Sequence, residues 1–269
     1  MIAERKPSVA AHTPALAGDA DGPEKPRSPG RVRHGEGPRR VGGSRVGSMV
    51  YGPETRPQPG PDLACDNSDT LQAYAAGAAS YDERTDRFMV YRRRIVDALD
   101  VRRGDVVVDV GCGTGLCMPL LQERIGAEGY IIAVDESVAM LNIARARAEQ
   151  FGWSNVTFIM APAAEVVLPV DADAALFCAV HDILRCPDSV RNILSQLRPG
   201  AHIASGGGKW AAPWLILLNA YVAALHRPCV RSFEGFDRPW SVLTPYLQDL
   251  RITEMAFGTG YVAAARVPD

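Results

Sequence analysis

Residues 106–115 read VVVDVGCGTG and give the clearest indication of how this chain folds. This stretch begins as a β-branched run that contains Asp109 and then passes into glycines at positions 111, 113 and 115. Such a run predicts a buried strand, and the glycines after it let the backbone approach a ligand closely and direct N–H groups towards it. We therefore expect a small polar ligand at the carboxyl end of this strand.

The spacing of these glycines excludes two phosphate-binding patterns. The dinucleotide fingerprint needs a third glycine where the chain has Leu116, and Asp109 would repel a pyrophosphate. The segment SGGGKW, residues 205–210, has Ile203 where a phosphate loop needs its first glycine and Trp210 where it needs a hydroxyl. An acid beside the loop instead favours an ammonium group.

Apolar patterning on both sides of the loop alternates between strand and helix periods. Strand-like runs occupy residues 105–110, 130–134, 156–160, 174–179 and 202–205, while amphipathic stretches cover 69–79 and 85–99 and begin near Gly115, Ser137 and Pro187. This alternation predicts an α/β fold with a doubly wound, mostly parallel sheet covered on both faces. The runs 250–257 and 261–267 are separated by three residues, so we expect an antiparallel C-terminal hairpin to complete seven strands.

The first 62 residues differ in composition from the rest of the chain. They hold 10 Pro, 10 Gly and one aromatic residue, and they carry 10 basic against 7 acidic side chains. Because this segment has little apolar surface to offset the entropy of ordering it, we predict disorder over 1–62 and one folded domain over 63–269. Its arginines between 25 and 45 are not interleaved with aromatic residues, so we expect no nucleic-acid partner.

Hydropathy and cysteine usage narrow the class of protein further. The longest apolar stretches are shorter than the roughly 20 residues that a membrane-spanning helix needs, so we expect no integral membrane association. The six cysteines form no CxxC pair, a pattern that favours reduced thiols in the cytoplasm and indicates neither a disulfide framework nor a metal site.

The motif DVGCGTG resembles the first motif of the class I S-adenosylmethionine-dependent methyltransferases. The chain continues in that family's order with IIAVDES around Asp135, CAVHDIL after the fourth strand and LRPG before the fifth. A YD pair, Tyr81 and Asp82, is similar to the pair that precedes the domain in the ubiquinone and menaquinone methyltransferase branch. The resemblance spans about residues 81–267 and implies a Rossmann-like methyltransferase fold that binds S-adenosyl-L-methionine.

The resemblance assigns parts of the cofactor to particular residues. Asp109 would favour the ammonium, the three loop glycines Gly111, Gly113 and Gly115 would approach the methionine part, and Asp135 would take the ribose hydroxyls. The other cofactor positions that it implies are Tyr81, Cys112, Glu136, Met140, Ala163, Ala164, Glu165 and Ala179. The chain departs from the family after its third strand, where Ala161-Pro162-Ala163-Ala164 replaces the usual acid and Glu165 follows a few residues late.

Methyl transfer mostly requires proximity and orientation, together with a base if the acceptor must lose a proton. His181 and Asp182 follow the fourth strand at the edge of the sheet where the glycine loop lies. We predict that they are the catalytic residues, with His181 as a general base whose pKa lies near neutrality. The alternative is that His181 only lines the cofactor pocket.

An aromatic insertion, residues 206–240, follows the fifth strand and contains Trp210, Trp214, Tyr221 and Phe236. With a helical cap over 69–99, it is expected to cover a hydrophobic acceptor such as a prenylated, aromatic or polyketide-like molecule. The alternative is that the same side chains bury a homodimer interface.

A second function class also stays open, in which the chain binds S-adenosylmethionine without transferring methyl, as a cyclase or a regulatory subunit.

Overall fold

The structure, a computed structural model, describes residues 77–269. The segment 1–62 that was predicted to be disordered lies outside the described residues, as does the beginning of the predicted cap. Within 77–269, no helix combines the length and the apolar character needed to cross a bilayer.

Helices and strands alternate through the described chain as the apolar patterning predicted. The α-helices are α1 (Tyr81–Thr85), α2 (Met89–Ala98), α3 (Met118–Ile125), α4 (Val138–Phe151), α5 (His181–Arg185), α6 (Pro187–Leu194) and α7 (Ile216–His226). The strands are β1 (Val106–Val110), β2 (Tyr130–Asp135), β3 (Val156–Met160), β4 (Ala172–Cys178), β5 (Leu197–Gly208), β6 (Gln248–Met255) and β7 (Gly260–Arg266). Short 3₁₀ turns at Ala78–Ser80 and Asp86–Phe88 complete the cap around α1 and α2.

The seven strands form one sheet in the order β3-β2-β1-β4-β5-β7-β6. The first five are parallel, whereas β7 runs antiparallel to both β5 and β6. The predicted doubly wound sheet with a C-terminal hairpin is therefore confirmed. Because the strand order reverses between β1 and β4, the crevice outside the carboxyl ends of these two strands is where an open sheet of this kind binds a ligand.

Alternate residues of the central strands pack into two separate apolar layers. Val107 belongs to the layer that contains α2 and α3, and Val108 belongs to the layer that contains α6. This alternation follows from the twofold period of a strand and buries both faces of the sheet. Asp109 has the same parity as Val107, so its carboxyl group lies on the side of the sheet that the cap covers.

Two element boundaries and one cysteine differ from expectation. Strand β5 begins at Leu197, before the Arg-Pro-Gly that was expected to precede it, and a register shift in its pairing with β4 accommodates these residues. The apolar run 210–227 of the aromatic insertion predicts a helix from about Trp210, but helix α7 begins at Ile216, because Pro213 breaks the pattern before it. Cys112, Cys117, Cys178 and Cys229 are free thiols, but Cys186 is disulfide-bonded, so the expectation of thiols throughout is wrong at that position.

Candidate functional site

The glycine loop after β1 has a backbone conformation that side chains would not tolerate. Gly111 has φ of +66°, and a Cβ atom there would lie 2.6 Å from Cγ1 of Val180. Gly113 also has a positive φ, of +56°. These values belong to the left-handed region that glycine adopts without steric cost, so the loop can run close to the end of β4 with its backbone facing the crevice.

Asp135 at the end of β2 is tied to the same loop. Its carboxylate accepts hydrogen bonds of 2.8 Å from the backbone N–H groups of Gly113 and Ser137. Burial raises the pKa of Asp135, and these backbone hydrogen bonds oppose the rise. The acid that was expected to hold a ribose thus also holds the glycine loop against the start of α4.

Asp109 is the most deeply buried acid of the site. Its side chain is 1% exposed, and its Oδ2 atom has no hydrogen-bond partner within residues 77–269. Burial, reinforced by the neighbouring charge of Asp135, raises the pKa of Asp109 to about 7, although Arg92 opposes the rise. An unpaired buried carboxyl oxygen is costly, so this atom is a strong candidate for contact with a ligand.

Arg92 of α2 is a site residue that sequence reasoning missed. In the amphipathic stretch 85–99 the apolar spacing assigns the arginines at 92–94 to the polar face, but Arg92 is 7% exposed and lines the crevice. Its Nη1 atom donates a hydrogen bond of 2.8 Å to the carbonyl of Thr85. Burial raises the pKa of the adjacent Tyr81 hydroxyl, and Arg92 opposes that rise. The cap therefore brings a guanidinium and a phenol to the side of the crevice that faces Asp109.

One cavity joins these groups at the carboxyl ends of β1, β2 and β4. Of the residues predicted to bind the cofactor, its lining includes Tyr81, Asp109, Gly111, Cys112, Gly113, Asp135, Glu136, Met140, Ala163 and Ala179. Gly115, Ala164 and Glu165 are not in the lining. Glu165 is exposed and borders a separate surface groove with Asp188 and Arg191, so it does not replace the missing acid after β3.

Besides the predicted Cys112, the cavity contains three thiols that the sequence gave no reason to select. Cys117, Cys178 and Cys229 all line it, and none of the four is disulfide-bonded. Burial raises the pKa of Cys112 and Cys229, which keeps these two groups as neutral thiols. No set of three or more His, Cys, Asp or Glu side chains within 77–269 is arranged to hold a metal ion.

His181 lies at the start of α5 and faces the cavity, as its position after β4 predicted. It is 8% exposed, and neither ring nitrogen makes a hydrogen bond of good geometry within the described residues. Burial and the nearby Arg185 lower the pKa of His181 to about 4, although backbone groups of Ser232 and Glu234 oppose this. The expected pKa near neutrality is therefore wrong, because the sequence could not show how deeply the ring is buried.

Asp182 also lines the cavity, but its carboxylate is already engaged. It accepts the backbone N–H of Arg231 at 3.2 and 3.3 Å. Arg185, at the other end of α5, donates to the carbonyl of Glu234 at 2.8 Å and to its carboxylate at 2.7 Å. The short helix α5 therefore fixes the segment 231–234, which makes Asp182 better suited to positioning than to proton transfer.

The aromatic insertion divides into an inner and an outer part. Phe236 is 1% exposed and packs edge-on against His181, with ring centroids 4.9 Å apart, and against Trp210 at 5.2 Å. Trp214 and Tyr221 are 78% and 57% exposed. None of the four residues predicted to contact the acceptor is in the cavity lining, and Phe236 reaches the site through its contact with His181.

Comparisons with known proteins agree with this architecture. Residues 102–214 match the model of a family described as a methyltransferase domain. The aklanonic acid methyltransferase DauC of Streptomyces sp. (strain C5) is 28% identical over 141 residues, which cover 52% of this chain and 62% of that protein. The ubiquinone/menaquinone biosynthesis C-methyltransferase UbiE of Idiomarina loihiensis is 29% identical over 136 residues, 47% of this chain and 53% of that protein. The chain thus spans about half to three fifths of the length of these curated relatives.

A solved structure supports the fold. The N-methyltransferase NodS of Bradyrhizobium japonicum WM9, in complex with S-adenosyl-L-homocysteine, superposes with a TM-score of 0.53 at 15% identity, covering 76% of this chain and all of that one. The glycine loop, the acids in β1 and at the end of β2, the sheet order and the family match lead to one conclusion: residues 102–214 form a methyltransferase domain that resembles those of the class I S-adenosylmethionine-dependent methyltransferases.

Proposed function

We propose that the cavity holds S-adenosylmethionine and that the chain transfers its methyl group to a small acceptor with an apolar or aromatic body. The observation that carries this proposal is the buried Oδ2 atom of Asp109, which has no hydrogen-bond partner among the described residues, in a cavity that Arg92 also lines. A carboxylate and a guanidinium facing one cavity match the ammonium and carboxylate of an amino acid, the two charges at the methionine end of this cofactor.

The rest of the lining fits the nucleoside end. Asp135 is the acid at the carboxyl end of the second strand, where a ribose is bound in folds of this type. Met140 and Ala163 are both buried and offer apolar contact to a base. Because Glu165 lies outside the cavity, the backbone around Ala161 and Ala163 is the remaining source of polar contacts to the adenine.

His181 is placed to act on the acceptor. The cofactor, when bound, supplies an electrophilic methyl group. With a pKa of about 4, His181 is neutral at physiological pH, and its ring nitrogens make no hydrogen bond of good geometry within residues 77–269, so it can accept a hydrogen bond or a proton from an acceptor hydroxyl, amine or enol. A base this weak suits an acidic acceptor, such as a phenol or the enol of a carbonyl compound.

The acceptor class rests on the environment of His181 and on the relatives. Phe236, Phe233 and Trp210 form an aromatic cluster beside His181. The named relatives act on aklanonic acid and in ubiquinone and menaquinone biosynthesis, which are apolar or aromatic molecules in keeping with this cluster. Four cysteines in the cavity form no disulfide, which favours a reducing compartment, whereas the disulfide-bonded Cys186 is unusual there; the cytoplasm is the compartment that we propose from the four thiols.

Calorimetry and product analysis test the proposal in two steps. S-adenosylmethionine and S-adenosylhomocysteine should bind with micromolar affinity, and Asp109→Asn should weaken binding while the exposed Asp249→Asn, far along the chain in β6, should not. Incubation with aromatic and prenylated phenols should then release S-adenosylhomocysteine. Absence of binding would overturn the proposal. Binding without product from any metabolite extract would instead support the alternative of a cyclase or regulatory subunit that does not transfer methyl.

A further inference from the structure

The outward face of α7 is an apolar surface that the proposed function does not use. Leu217 is 87% exposed, Ile216 is 73% exposed and Trp214, just before the helix, is 78% exposed. Residues 211–225 contain no charged side chain. Their one amide, Asn219, turns back to accept the backbone N–H of Ala211 at 2.9 Å, so it gives the outer face no polar group.

The exposed residues of α7 follow the period of a helix-packing seam. Leu217, Ala220, Tyr221 and Ala224 are all exposed and lie at intervals of three, four and seven residues, on one stripe. Arg227 is exposed just beyond the C-terminal end of the same stripe, and Trp214 lies before its N-terminal end. The stripe therefore carries an aromatic ring at one end, a guanidinium at the other, and large and small side chains between them.

We propose that this stripe binds the same stripe of a second copy of the chain, with the two helices antiparallel about a twofold axis between Ala220 and Tyr221. That axis places Leu217 opposite Ala224 and Ala220 opposite Tyr221, so each large side chain meets a small one. It also places Trp214 opposite Arg227, a pairing in which a guanidinium lies over an indole ring. A stripe that complements its own reversed copy is what a twofold interface requires.

The area of this surface is close to what a stable dimer needs. Large side chains bury about 150 to 250 Å² each when covered, so the exposed parts of Trp214, Leu215, Ile216, Leu217 and Tyr221 amount to roughly 600 Å². A standard interface buries about 800 Å² per partner. The tip of the β6–β7 hairpin, where Phe257 is 92% exposed, lies beside the start of the insertion, since a Cβ on Gly258 would be 4.0 Å from Cα of Ala211.

Charge favours a second copy over a lipid surface as the occupant. An interfacial membrane helix needs cations along its polar face, but the face of α7 opposite the stripe packs on protein through Val222, which is 1% exposed. Exposed acids at Glu234 and Asp237 follow the insertion and would oppose an anionic bilayer. In the dimer, Arg227 has a defined partner in Trp214.

Sedimentation equilibrium of the full chain tests the proposal. Wild type should be a dimer at micromolar concentration, and Leu217→Glu or Ala224→Lys should each weaken dimerisation by about ten-fold or more, because each places a charge in an apolar contact. The double variant Leu217→Glu/Ala224→Lys should recover dimerisation, because the twofold axis brings each new glutamate to the new lysine of the other copy. Val167→Glu, a matched control at a side chain that is 80% exposed elsewhere, should remain dimeric.

Each alternative outcome overturns the proposal. A wild type that stays monomeric at all concentrations would do so, as would a dimer that Leu217→Glu leaves intact while circular dichroism shows the variant to be folded. Failure of the double variant to recover would exclude this axis. A monomeric wild type that sediments with phosphatidylglycerol vesicles, and loses this binding in Leu217→Glu, would identify a lipid surface as the occupant instead.

Discussion

The hydroxyl of Thr114 in the glycine loop donates a hydrogen bond of 2.6 Å to the carboxylate of Asp82 in the cap. Arg147 of α4 also donates to Asp82 and, at 3.0 Å, to the carbonyl of Thr114. Thr114 is 1% exposed, so the hydroxyl end of this bond is buried, whereas the Asp82 side chain is 39% exposed. One carboxylate therefore holds the cap, the loop and α4 together on the side of the cavity where Tyr81 and Arg92 lie.

Removing the Thr114 hydroxyl should loosen the cap. Thr114→Val keeps the shape of the side chain but leaves Asp82 without one donor, and we expect the free energy of unfolding to fall by about 1 to 2 kcal/mol, as for other hydrogen bonds to charged groups. Urea unfolding measures this change. Thr114→Ser, which keeps the hydroxyl, should remain within about 0.5 kcal/mol of wild type, and equal losses in both variants would show that packing and not the bond is responsible.

Loss of the Asp135 carboxylate should weaken cofactor binding. We expect Asp135→Ala to reduce the affinity for S-adenosylhomocysteine by about 1 to 3 kcal/mol, through lost hydrogen bonds to the ribose and through release of the Gly113 N–H. Calorimetry with the ribose-deoxygenated analogue separates the two causes. If the variant and wild type differ as much with that analogue as with the intact cofactor, Asp135 acts on the loop and not on the ribose.

Cofactor binding should release a proton from Asp109. With a pKa of about 7 in the free protein, Asp109 is mostly protonated at pH 6, and an ammonium beside it favours the carboxylate. Binding therefore lowers this pKa, so affinity should rise as pH increases from about 5 to 7, by up to about ten-fold per unit, and level off above 7.

Titration calorimetry at pH 6 in buffers of different ionisation enthalpy counts that proton. Wild type should release close to one proton, and Asp109→Asn should release much less. Wild-type binding that releases no proton would show that the ammonium does not reach Asp109.

His181 should affect turnover more than cofactor affinity. If it serves the acceptor, His181→Ala should lower kcat by roughly 10² to 10⁴ with cofactor binding intact. Because the pKa of His181 is about 4, its protonation should reduce the rate only as pH falls towards 4, not near neutrality. The matched control is His202→Asn, in β5 and away from the cavity. Turnover at the wild-type rate in His181→Ala would show that the ring only lines the cavity.

The sheet and the edge at which the cofactor is expected could both be predicted from the amino-acid sequence. VVVDVGCGTG predicted β1 and its loop, and the alternating apolar runs predicted the parallel strands and the final hairpin. These inferences hold because they depend on local constraints: the period of a strand, the positive φ at Gly111 and the short link before Gly260. The sequence also placed Asp109, Asp135 and His181 at one edge of the sheet, because the carboxyl ends of parallel strands lie at the same edge.

The surroundings of each side chain could not be predicted in this way, because they depend on the folded structure. Arg92 has the helical position of a solvent-facing residue, yet the fold buries it beside Asp109. His181 loses its near-neutral pKa because the fold buries the ring, partly against Phe236, which is distant in sequence, and because Arg185 lies nearby; the Asp182 carboxylate accepts a backbone N–H almost fifty residues away. The aromatic insertion reads as one apolar segment, but tertiary contacts turn Phe236 inward and Trp214 outward. The burial, the pKa and the hydrogen-bond partners of a side chain depend on contacts between residues far apart in the chain, and a local sequence pattern does not encode those contacts.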